Sequence, residues 1–130
     1  MDIPPLKYSN FHKKGRGSMK INKALAQHYQ WGAQCDGWHL VQNRELSVIH
    51  ERMPAQTAEV NHYHHHAQQF FFVLSGTATI ELNDQRIELK QHEGIEVPPN
   101  LPHQMRNDSQ EDVEFLVISQ PNSRGDRELL

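Results

Sequence analysis

The chain of 130 residues has a single cysteine, Cys35. One thiol cannot close an internal disulfide, so the fold must hold without oxidation, and a reducing cytoplasm is the expected compartment. The stretch "GAQCDGW" around Cys35 has no helix start and no adjacent base, so an ordinary buried thiol is expected there, not a nucleophile. Long hydrophobic runs are also missing: nothing approaches the roughly 20 apolar residues of a membrane span, and the first residues lack the central apolar run of a secretory signal. There is no basic excess. Lys and Arg total 13 against 16 Asp and Glu, for a net charge of −3 with histidines neutral, which removes the electrostatic case for a nucleic-acid partner. Neither a repeat period nor a Gly-rich phosphate loop occurs. The length suits one domain with one modest core.

What is present is β pattern and histidine. Residues 1–18 mix Pro, Gly, Lys and polar residues and are expected to form a flexible arm, with "GSM" at 17–19 reading as a cloning junction. Residues 19–130 are expected to form the single domain. "KINKALAQHYQ" over 20–30 suits either a short helix or a lead-in strand. Beyond it, "ELSVIHERM" alternates, with Leu46, Val48, His50 and Arg52 on one side and Ser47, Ile49, Glu51 and Met53 on the other. "QQFFFVL", "TATIEL", "QRIELK", "IEV", "HQMRN" and "VEFLVIS" follow, broken by "SG", by the hairpin turn "ND", and by "PPNLP". About eight short strands with almost no helix predict an all-β sandwich or small barrel. The tail "QPNSRGDRELL" reads as polar and irregular.

Four of the ten histidines crowd into "HYHHH", residues 62–66. Alternation along a strand puts His62, His64 and His66 on one face and Tyr63 and His65 on the other. Two imidazoles at i and i+2 can point at one metal ion, and neutral imidazole suits zinc, iron, copper and nickel. His103, opening a strand after the Pro-rich turn, is the candidate third ligand. Gln69 shares a face with Phe71 and Val73, where its amide needs a polar partner such as a metal or a histidine. His65 reads as surface or dimer-facing, and His66 as lying past the site. His28, His39, His50 and His92 have no evident partners.

These residues resemble the cupin superfamily. Its first motif runs Gly, five residues, His-x-His, three or four residues, Glu, six residues, Gly; here Gln56, His62, His64, Gln69 and Gly76 stand at those positions. Its second runs Pro-x-Gly, two residues, His, three residues, Asn, and here reads Pro98, Asn100, His103 and Asn107. The resemblance implies a double-stranded β-helix, or jelly-roll barrel, holding a divalent transition metal (Fe, Zn, Mn or Ni) on His62, His64 and His103, with Gln69 in the fourth position. Glutamine there leaves the metal's charge undiminished and offers a weaker oxygen than the usual Glu. The family spans isomerases, dioxygenases, decarboxylases, storage proteins and sensors, so the fold does not name the reaction.

Two readings follow, beside a third, an apo storage or structural barrel, against whose storage form the small size and the absence of a second barrel argue. One is a metal-dependent dioxygenase or isomerase-type enzyme acting on a small molecule, with Glu51 or His50 facing inward and Arg52 placed to hold an acidic substrate. The other is a non-catalytic ligand-binding or sensing barrel lined by Trp31, Trp38 and the phenylalanines. Three consecutive aromatics, Phe70, Phe71 and Phe72, cover both strand faces, and the outward set predicts a homodimer.

Overall fold

The structure is a computed structural model that describes residues 19–130. The expected arm over 1–18 lies outside the described residues. Among these there is no helix, and twelve strands follow in order: β1 (Gln27–Trp31), β2 (Cys35–Gln42), β3 (Ser47–Met53), β4 (Thr57–Ala58), β5 (His62–His64), β6 (Gln68–Ser75), β7 (Ala78–Leu82), β8 (Gln85–Leu89), β9 (Gly94–Val97), β10 (His103–Asn107), β11 (Val113–Gln120) and β12 (Arg127–Leu129). The expected all-β jelly roll is the observed architecture. One sheet runs β1-β2-β3-β11-β6-β9. The other runs β12-β5-β10-β7-β8, with β4 pairing β10, and every pairing is antiparallel.

The inner faces of the two sheets supply the core. Met53, Phe71, Val73, Ile80, Met105 and Phe115 are 0–3% exposed, each alternating with a more exposed neighbour. Burying side chains of this size contributes about 1.5–3 kcal/mol apiece. Residues 20–30 resolve as turn and then strand: the helix-favouring Lys, Ala and Leu give way to pairing of β1 along β2, from Gln27 opposite His39 to Trp31 opposite Cys35. The tail, expected to be irregular, contributes β12. Its Arg127 lies opposite His64, and its Leu129 opposite His62.

Both motif glycine replacements sit where a left-handed backbone is needed, with φ of 63° at Gln56 and 68° at Asn100. Asn tolerates that region and Gln less so. Gln56 is held there by its own side-chain amide, which donates to the carbonyls of Asp108 and Ser109 at 2.9 and 3.0 Å. Asn100 donates its backbone N–H to the His64 carbonyl at 2.6 Å, tying the Pro-rich turn to the histidine strand. Gly76 has φ of 80°, and an added Cβ would strike the Asp112 carbonyl oxygen. Asn107, fully buried, donates to the carbonyls of Met53 and Glu111, joining the end of β10 to β3 and to the loop before β11.

Candidate metal centre

His62 and His64 bracket the three-residue strand β5, and alternation turns both inward. His103 opens β10 directly opposite His62. The three rings are 4%, 5% and 1% exposed, and one nitrogen from each lies within 4.8 Å of the others. Desolvation by burial lowers the pKa of all three, taking His62 to about 3. They are therefore neutral imidazoles at physiological pH, with a lone pair to offer.

Backbone carbonyls orient two of the rings. His62 Nδ1 lies 2.7 Å from the Val60 oxygen and His103 Nδ1 lies 2.9 Å from the Leu101 oxygen. Donating from Nδ1 leaves each Nε2 as the free lone pair, which is how second-layer bonds fix the tautomer of ligating histidines. The Nδ1 of His64 is buried without a hydrogen-bond partner, and buried polar atoms of this kind are costly unless something satisfies them.

Gln69, on β6, is 6% exposed. Its Nε2 donates to Ser119 Oγ at 2.9 Å, and its Oε1 lies 3.0 Å from His103 Nε2. A neutral His103 carries one N–H but faces two acceptors. A cation shared by Nε2 and Oε1 removes the conflict. Rotating the Gln69 amide also does, by letting its nitrogen donate to His103 and its oxygen accept from Ser119. The orphaned His64 nitrogen, the oriented rings and this shared geometry fit a divalent transition metal, so three histidines here could hold an ion.

A cavity of about 270 Å³ opens beside the cluster, walled in part by His62, His64, Gln69, Phe71, Ser119 and Glu51. Glu51 faces in, as one of the two candidates on β3 was expected to. The carboxyl of Glu51 is pushed up to about 8 by desolvation, then by the nearby Glu59; a hydrogen bond from Tyr29 works against the rise. Glu59 is pushed up to about 7 by desolvation, against a bond from the Met105 N–H at 3.0 Å. Gly37, between Tyr29 and Glu51 in the sheet register, has no side chain because the Tyr29 ring occupies that space on its way to Glu51.

Other expected lining residues face elsewhere. Arg52 points out of the barrel, where its guanidinium bonds Asp36, Asp112 and the Gln34 carbonyl; it is already paired and does not reach the cavity. His50 also faces out, bonded to Glu114 at 2.7 Å. Trp38 lies outside, against the rings of His28 and His50 and under the Lys23 ammonium at 4.7 Å, because it shares the outward side of the sheet with its register partner His50. Trp31 walls a neighbouring cavity instead. His65 and His66 are exposed, and Tyr63 meets His65 edge to face, away from the cluster. Cys35 is fully buried, and its thiol pKa is raised by that burial.

Sequence reasoning missed Tyr29, Glu59, Ser119, Arg124 and Arg127, all of which line this cavity or the one beside it. Asp126 fixes the tail that carries the two arginines by accepting from the backbone N–H groups of His65, His66 and Ala67 at 2.9–3.1 Å. Burial would raise its carboxyl, but these three bonds outweigh that and hold it below the usual range.

The family model described as "Cupin domain" matches residues 49–119, the span that contains all three histidines and Gln69. The uncharacterized protein MJ1618 of Methanocaldococcus jannaschii is 27% identical over 85 residues, covering 65% of this chain and 68% of that protein. Among solved structures, KdgF from Halomonas sp. superposes with a TM-score of 0.73 at 16% identity, over 82% of this chain and 96% of that one. The polyketide cyclase RemF from Streptomyces resistomycificus superposes with a TM-score of 0.73 at 14% identity, over 85% and 84%. At such identities the structural likeness speaks for the fold alone. The matched model spans more than half of the sequence and includes both spaced motifs, and on that ground the chain belongs to the cupin superfamily.

Proposed function

We propose that residues 19–130 act as one metal-binding cupin domain. A divalent transition metal would be held by His62, His64 and His103, with the Gln69 amide oxygen as the fourth donor, and a small molecule would be bound or transformed in the adjoining cavity. The observation that carries this reading is the convergence of three buried, neutral imidazoles within 4.8 Å of one another. When bound, such an ion supplies a positive charge that polarises a ligand carbonyl or, as iron, redox chemistry. The chain's own groups do the rest. Phe71 and Val117 exclude water from one side. Glu51 keeps its proton at neutral pH and can donate it at the cavity wall, with Tyr29 holding the carboxyl in place. That proton favours an enzyme over a purely sensing barrel.

The proposed ligand set is tested by chelator competition for zinc or cobalt in wild type, Gln69→Glu and Gln69→Ala. A carboxylate at this position should tighten binding by about tenfold or more, and Gln69→Ala should weaken it. Weaker binding in Gln69→Glu would mean that residue 69 does not face the ion.

The homodimer belongs to the same proposal. Phe70 is 38% exposed, it stacks with Phe72 on the outward face of β6, and His92 stacks on Phe72 in turn. A second copy covering this face would remove an apolar patch from water, and sedimentation of wild type against Phe70→Glu reads it directly. A cytoplasmic setting is the remaining part of the proposal, and the lone buried thiol supports it.

A further inference from the structure

Arg127 differs in setting from the arginines of the outer surface. Arg52, Arg86 and Arg106 each pair with a carboxylate within 4 Å. Among the described residues Arg127 and Arg124 have no such ion pair, although Arg127 shares the cavity walls with two carboxyls, Glu51 and Glu59. Arg127 also stands opposite His64 in the β5–β12 register. Its charge bears on all three histidines and on both glutamates. It walls both the triad cavity and a second cavity of about 290 Å³ that includes Tyr29 and Trp31.

The segment that carries these guanidiniums is fixed in place. Asp126 accepts three backbone N–H bonds from the 65–67 turn, β12 pairs along β5, and Asn122 bonds the chain at Asn43 and Arg44. Two unpaired cations are thereby held at the rim of a cavity whose floor is a cluster of neutral imidazoles.

We propose that the cavity selects a small organic carboxylate, which Arg127, assisted by Arg124, holds at the rim beside the His62, His64 and His103 centre. The guanidinium fork matches the two oxygens of a carboxylate, and Phe71, with Ile49 and Val117, gives the body of the ligand an apolar wall in the same cavity. This rests on the reading of the cavity as the small-molecule site and adds the class of molecule.

The test is calorimetric titration of the zinc-reconstituted protein with benzoate and succinate and with their neutral amides, benzamide and succinamide. Each acid should bind about tenfold or more tightly than its amide. Arg127→Gln should remove most of that preference, and Arg127→Lys, which keeps the charge but not the fork, should retain part of it. Amides that bind as well as the acids overturn the proposal, as does a preference that survives in the Arg124→Gln/Arg127→Gln double variant. Inorganic phosphate binding more tightly than both acids overturns the carboxylate assignment. Elemental analysis of the same samples, with a repeat titration on metal-free protein, separates the two claims. Acid preference without zinc uptake sinks the metal reading alone. Zinc uptake without acid preference sinks the anion reading alone.

Discussion

The outer side of the sheet that holds strand β3 and the space between the two sheets hold carboxyls in opposite electrostatic states. On the outer face, Asp36 is held low by bonds from His28 and then from Arg52. Glu114, which burial would raise, is held low by Lys23 and His50. Each of these charges has a partner within 3 Å. Between the sheets, Glu51 of β3 and Glu59 before β5 are pushed up, and His62, His64 and His103 of the facing sheet are pushed down. The outer cluster uses its charges on itself and adds modest stability. The inner cluster leaves the His64 Nδ1 without a hydrogen bond and, among the described residues, the Arg127 guanidinium without a carboxylate within 4 Å, which is the pattern expected where perturbed groups await a ligand. Residue types alone do not separate the two clusters; the direction of the carboxyl shifts does.

The largest expected break of this comparison is in metal affinity. His62→Ala, His64→Ala or His103→Ala should weaken zinc binding by about 100-fold or more. The outer His28→Ala/His50→Ala variant should bind as wild type does, with chelator competition as the readout. Equal losses from both clusters would erase the distinction.

Next is stability against pH, where the two faces should have opposite signs. Glu51 has a folded pKa near 8, above its ordinary 4.5, so its cost to folding is absent below about pH 4.5 and grows as pH rises toward 8. Glu51→Gln should therefore gain on wild type between pH 5 and pH 9, by up to about 4 kcal/mol and less where water reaches the carboxyl. Asp36 is lowered from 3.8, so its contribution is present above that value and is lost as pH falls through the lower folded pKa. Asp36→Asn should cost about 1–3 kcal/mol at pH 7, and this penalty should fade in acid. Urea midpoints at four pH values read both.

A smaller effect sharpens the role of the Gly37 gap. Gly37→Ala crowds the Tyr29 ring and should cost about 1–2 kcal/mol. Because the Tyr29 bond opposes the rise at Glu51, displacing the ring should move the Glu51 titration upward. Infrared spectroscopy of the protonated carboxyl stretch follows it. An unchanged Glu51 titration would separate Tyr29 from the cavity.

Much of the fold was legible because period-two alternation survives wherever one strand face is buried. The side division of 46–53 holds in β3, and the inward pair His62 and His64 follows from the same rule on β5. His103 and Gln69 were legible through motif spacing. Tyr29, Glu59 and Arg127 were not, since they reach one cavity from β1, the segment before β5 and β12, and only pairing across the sheets brings them together. β12 itself is three exposed residues with no apolar face to give it a period. Arg52 has the right chemistry for an anion site, but its place on the outward side of β3 commits it to Asp36 and Asp112.

The central claim is that the inner cluster holds one metal ion. Its most direct measurement is elemental analysis of protein produced without a histidine tag, reconstituted with zinc, iron, manganese or nickel and dialysed to equilibrium. About one equivalent of a single metal per chain, lost in His62→Ala/His64→Ala and kept in His28→Ala/His50→Ala, is the predicted result. Less than about a tenth of an equivalent of every metal after reconstitution would contradict it.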